Sequence, residues 1–181
     1  MPITYRQPPK SSQSQCSAYI EVLWAPEKST FYGGLLIMDA KGQPLEFVHN
    51  TLTAPSGFLW PPDRIRTLGV AELCHSVFKA CRLEPLILVC QSSLGTPDYC
   101  KSAIAPSIPF AQIGNSASER EFEWIWVNGQ PPPASAAFML AQDLMSHGFV
   151  TEPFHRVRSG LVELYPDVPW PATIDDIDVG G

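Results

Sequence analysis

The sequence predicts a single α/β domain: a mixed sheet that opens with a three-strand antiparallel meander and carries helices packed on it. Three strand-like runs joined by short turns fill residues 17–50, an amphipathic stretch spans about 65–82, and an unbroken apolar run follows at 86–90. A helix leading straight into a fully apolar run is the pattern of a crossover to an interior strand, buried on both faces.

Residues 1–16 are rich in Pro, Ser and Gln and read as a flexible arm. Residues 17–24 (SAYIEVLW) carry the aromatic and β-branched content of a strand. A turn at 26–29 leads to 30–39 (TFYGGLLIMD), and Lys41-Gly42-Gln43 leads on to 45–50 (LEFVHN), so the two runs form a hairpin. Gly33-Gly34 inside a strand signals a bulge or a close backbone approach. Residues 51–63 hold Pro55, Gly57, Pro61 and Pro62 and read as a long loop. Its Phe58 and Trp60 either pack down as a lid or form a contact surface. Over 65–82, Val70, Cys74, Val77, Phe78 and Cys81 recur at spacings of three and four and define one apolar helix face. Glu72, His75 and Lys79 fall on the other side. After the apolar run, 91–118 reads as irregular, and 121–127 (EFEWIWV) alternates as a further strand. Pro131-Pro132-Pro133 then opens a helix over 134–147, closed by Gly148. Residues 159–165 (SGLVELY) read as a last strand, and 166–181 as a Pro-rich, then acidic, mobile tail. The domain itself therefore covers 17–165.

Twelve basic against eighteen acidic residues give a net charge of −6 over 181 residues. That balance disfavours nucleic acid held on a broad basic surface and leaves small or specific sites open. No apolar run approaches the ~18 residues of a membrane helix, and no signal-peptide core is visible, so a soluble cytoplasmic domain without membrane contact is expected. Five cysteines without a CxxC pair argue for core thiols over a disulfide framework. Cys16, in the arm, is expected to react quickly, and Cys74, Cys81 and Cys90 slowly.

Several chemistries find no support. His75, Cys81, Cys90 and Cys100 lack zinc-ligand spacing, and neighbouring Cys74 and His75 diverge by ~100° on a helix. No Walker loop or GxGxxG is present. Trp124 and Trp126, two apart on a strand, share one sheet face and serve either as core or, with Phe58 and Trp60, as a surface that binds another protein. The terminal Gly180-Gly181 invites comparison with conjugated modifiers, but the strand order lacks a β-grasp.

Two stretches carry a family resemblance. Residues 88–97 (LVCQSSLGTP) resemble the strand followed by Asp-Ala-Pro-Leu-Gly of an RNase H-like family of predicted nucleases, and residues 136–165 resemble its later helix, its Gly and a strand ending in Glu-x-Tyr-Pro, here Glu163-Leu164-Tyr165-Pro166. With the opening hairpin these cover about half of the chain. The resemblance implies an RNase H-like sheet and phosphodiester hydrolysis assisted by Mg²⁺ or Mn²⁺ held on converging carboxylates. The ligands it implies are Glu21 on the first strand and Glu163, with Glu72 from the helix as a third catalytic acid. Where the family has its strand-end aspartate, this chain has Gln91, whose amide supplies an oxygen but no charge. The expectation is therefore a non-catalytic binding or accessory domain with a degraded site and no cofactor. A Mg²⁺- or Mn²⁺-dependent nuclease is the alternative.

Overall fold

The computed structural model describes residues 2–6, 15–54, 61–91, 108–115 and 122–170. The strands are β1 (Ile3–Arg6), β2 (Cys16–Ala25), β3 (Thr30–Asp39), β4 (Pro44–Thr53), β5 (Ile87–Gln91), β6 (Phe110–Asn115) and β7 (Phe122–Trp126). The helices are α1 (Pro62–Ala80), α2 (Ala136–Ser146) and α3 (Glu152–Leu164). The strands form one mixed sheet in the order β1-β4-β3-β2-β5-β6-β7. β2, β3 and β4 are the antiparallel meander, and β5 returns through α1 to lie parallel to β2. This is the expected mixed α/β arrangement, a three-strand meander followed by a helix and a parallel strand, with the 86–90 run as an interior strand.

Local chemistry explains the punctuation. Ser29 takes the left-handed conformation that reverses the chain between β2 and β3. At the next turn Gly42 has φ +76°, and Asp39 Oδ1 accepts from the backbone N–H groups of Lys41 and Gln43, both at 2.9 Å. Beyond α1, the buried Glu46 carboxylate accepts from the Arg82 and Leu83 N–H groups at 3.1–3.3 Å, which fixes the exit of the chain toward β5. Ser135 caps α2 by accepting from the Phe138 N–H at 3.2 Å.

The sheet has a core on each face. On one, Ala18, Ile20, Leu35 and Cys90 pack against Leu73, Cys74 and Val77 of α1. On the other, Tyr19, Leu36, Met38 and Val89 pack against Leu140 and Leu144 of α2 and Phe154, Val157 and Leu161 of α3. Gly33 and Gly34 serve one helix each. A Cβ on Gly33 would lie 2.7 Å from Leu73 Cγ, and one on Gly34 would lie 2.7 Å from Val157 Cγ1. Of the two readings of the glycine pair, the close approach is the one found.

Five expectations are corrected. The arm holds an edge strand, since Ile3–Arg6 pairs with residues 46–49 of β4. Cys16 opens β2, is buried, and directs its Sγ at the Glu84 carbonyl 3.6 Å away, so it is not the reactive thiol. The irregular stretch after β5 contains β6, whose Phe110, Ala111 and Ile113 are buried while its Gly114 interrupts the apolar pattern. Residues 159–164 are helix, not strand. Phe154, Val157, Leu161 and Tyr165 follow helical spacing, and Gly160 sits where a Cβ would come 3.0 Å from Phe47 Cζ. Part of the expected mobile tail is also packed, with Val168 buried and the Trp170 ring 5.2 Å from that of Tyr32.

Candidate functional site

Strand alternation turns Tyr19, Glu21 and Leu23 of β2 toward α2 and α3. The ladder registers then define a row across that face. Glu21 pairs with Gly34, and Gly34 with His49. On the other side Ile20 pairs with Cys90, so the next residues, Glu21 and Gln91, lie side by side on neighbouring strands ~4.8 Å apart. Gln91 pairs with Ile113, and Ile113 with Trp124. The row therefore reads His49, Gly34, Glu21, Gln91, Ile113, Trp124.

Over this row lies α3. Val157 and Leu161 close on the Gly34 backbone, and the adjacent Arg158 is buried on the same side of the helix. Glu21 is only 2% exposed, and its Oε2 has no hydrogen-bond partner. Burial raises its carboxyl from the ordinary 4.5 to about 7, against the opposing pull of the Arg158 charge. The group therefore changes charge near neutrality. At the end of the row His49 is buried and its Nδ1 lies 2.7 Å from the Tyr165 hydroxyl. Loss of solvent lowers the His49 pKa and raises that of Tyr165, with Tyr32 adding to the latter. Tyr32 stacks edgewise on Tyr165 at 4.8 Å.

The expected acids do not meet. Glu21 lies in the row, but Glu72 is exposed on α1, across the sheet on the opposite face. Glu163 is exposed near the end of α3, outside the sheet-facing set of Phe154, Val157, Arg158 and Leu161. No group of three or more His, Cys, Asp or Glu suited to a metal ion occurs among the described residues. A two-metal site needs several carboxylates converging on cations ~3.5–4 Å apart. At this row the oxygen donors are one buried carboxyl and one neutral amide, a set that does not fit hard divalent cations.

Trp124 and Trp126 share a face as expected, with ring centroids 5.9 Å apart and edge-to-face. Trp124 is core, its Nε1 buried without a hydrogen-bond partner, while Trp126 is half-buried. Phe58, Trp60, Cys100 and Gly180-Gly181 lie outside the described residues. Sequence reasoning missed His49 and Arg158. His49 had a usable signal, since it alternates with Phe47 in a run already assigned as strand. Arg158 had none once its segment was read as leading into a strand.

Part of the chain is similar to two solved endonuclease V structures. The Streptomyces avermitilis endonuclease V structure matches with 12% identity over 61% of this chain and 49% of its own, at a TM-score of 0.45. That of Bacillus subtilis matches with 14% identity over 56% and 44%, at 0.39. The chain aligns with about half the length of these proteins. No family model and no curated protein matches the sequence.

Proposed function

We propose that this chain is a non-catalytic RNase H-like domain that acts through contacts with another protein. One observation carries the reading: Glu21, at the centre of the sheet, is a buried carboxyl whose strand neighbour is the neutral Gln91. A nuclease would need acids to converge there, and Glu72 and Glu163 stand elsewhere. For contacts the surface offers apolar side chains, Met139 and Met145 on α2 and Val162 and Leu164 on α3, all exposed. The net charge of −6 favours protein over nucleic acid as the partner.

The test is cleavage of single- and double-stranded DNA and RNA by the purified chain with Mg²⁺ or Mn²⁺. No metal-dependent cleavage is expected from the unmodified protein. Robust Mn²⁺-dependent cleavage, abolished by Glu163→Gln, would make this an enzyme and overturn the reading.

A further inference from the structure

Beyond α3 the chain does not leave the sheet. Residues 165–170 fold back as a strap over the ends of β2 and β3, where Ala25, Tyr32 and Val168 are buried with Tyr165 and Trp170 packed against them. Tyr32 meets two rings of the strap edgewise, that of Tyr165 at 4.8 Å and that of Trp170 at 5.2 Å. Within the strap, the Tyr165 carbonyl accepts from the Val168 N–H at 3.2 Å and from the Trp170 Nε1–H at 3.1 Å. The strap is tied to the sheet by the Tyr165 hydroxyl, 2.7 Å from Nδ1 of His49 on β4. His49 is only 4% exposed. A polar anchor of the strap is therefore a titratable ring in a place where charge is costly.

We propose that His49 and Tyr165 form a proton-operated latch: the neutral ring accepts the Tyr165 hydroxyl at Nδ1 and holds residues 165–170 on the sheet, and a proton on Nδ1 releases them. A protonated ring has no lone pair left at Nδ1, so the hydroxyl loses its acceptor. The charge must also sit against the rings of Phe47 and Tyr165. Burial already holds the His49 pKa below the ordinary 6.5, whereas a ring uncovered by an open strap returns to water. The open form binds the proton more tightly, so opening grows as pH falls below 6.5. The ionisable groups on the elements around His49 do not reverse that sign. Tyrosines, here Tyr5 on β1, Tyr32 on β3 and Tyr165 itself, are uncharged in acid. Arg158 on α3 stays positive at either pH, and solvent screens the exposed Glu163 and Asp167. Glu21 lies across the Gly34 strand, two strand spacings or ~9.6 Å away, and takes up its own proton near 7. In acid it offers the imidazolium no counter-charge.

Hydrogen exchange in the full chain at pH 7.5 and pH 5, corrected for the pH dependence of the exchange chemistry itself, reads strap opening at the Val168 and Trp170 backbone N–H groups and at the Trp170 indole. In the native chain, opening should rise roughly threefold or more at pH 5, with no such rise in the α1 amides. His49→Gln offers the hydroxyl an acceptor that does not titrate, and should keep the strap equally closed at both pH values. Tyr165→Phe should open it already at pH 7.5. The acid response should survive Glu21→Gln. A flat native profile, an undiminished acid response in His49→Gln, or its loss in Glu21→Gln overturns the latch, as does a Tyr165→Phe strap as closed as the native one. Should the variants fail to fold, the imidazole ¹⁵N shifts of the native chain decide. The latch requires His49 at pH 7.5 to carry its proton on Nε2 with Nδ1 bare, and a proton on Nδ1 there overturns it.

Discussion

A glutamate in the middle of an interior strand faces a cost that its apolar neighbours do not, and Glu21 meets it by holding its proton. Its folded value of about 7 stands above the ordinary 4.5, so the folded state binds the proton more tightly than the unfolded chain. The resulting stabilisation is fully present below pH 4.5 and is lost as pH rises through 7, a swing of about 3 kcal/mol for this shift. His49 acts in the opposite sense: its lowered pKa favours the neutral ring, so its contribution is present above pH 6.5 and fades on acidification. Comparing the protein with Glu21→Gln cancels the His49 effect. Urea midpoints at pH 4.5 and 8 should show the native chain losing about 3 kcal/mol relative to the variant. A difference that stays flat with pH would mean that Glu21 is solvated. The sequence pointed to Glu21 by position, but its environment was not legible there. The alternation of residues 17–24 leaves open whether Glu21 faces water, and what buries it is a helix more than 130 residues later whose second half reads as a strand.

At the scale of elements, the meander, α1, β5 and α2 were readable because each carries its own period and punctuation. β6 and α3 were not. β6 is short and glycine-interrupted, and its burial comes from lying between β5 and β7. α3 contains Gly160, which local propensity counts as a breaker and the fold uses as clearance for Phe47. Gly34 has the complementary role on the sheet, and it gives the sharpest element-scale prediction. Gly34→Ala places a methyl 2.7 Å from Val157 Cγ1, so α3 must move outward. The expected loss is about 1–3 kcal/mol in urea unfolding, as for other overpacked interiors. Faster amide exchange should appear in α3 while α1, on the other face, is unchanged. Equal loosening of both helices would contradict the account of one glycine per helix.

Over the whole molecule, two cores on a shared sheet leave few routes for reagents. Cys16, Cys74 and Cys90 are buried, and burial pushes the Cys16 thiol up to about 11. At neutral pH these three should react with a thiol reagent slowly, on the timescale of unfolding, and half-buried Cys81 should react ahead of them. Rapid labelling of Cys16 would show that β2 frays where it pairs with Asp39. The central claim concerns the middle of that sheet, where Glu21 is a buried acid. A ¹³C NMR titration of the Glu21 carboxyl in the unmodified chain, with and without Mg²⁺, tests it most directly. The account predicts a midpoint near 7 that Mg²⁺ does not move. A midpoint in the ordinary range near 4.5, or one that falls when Mg²⁺ is added, would contradict it.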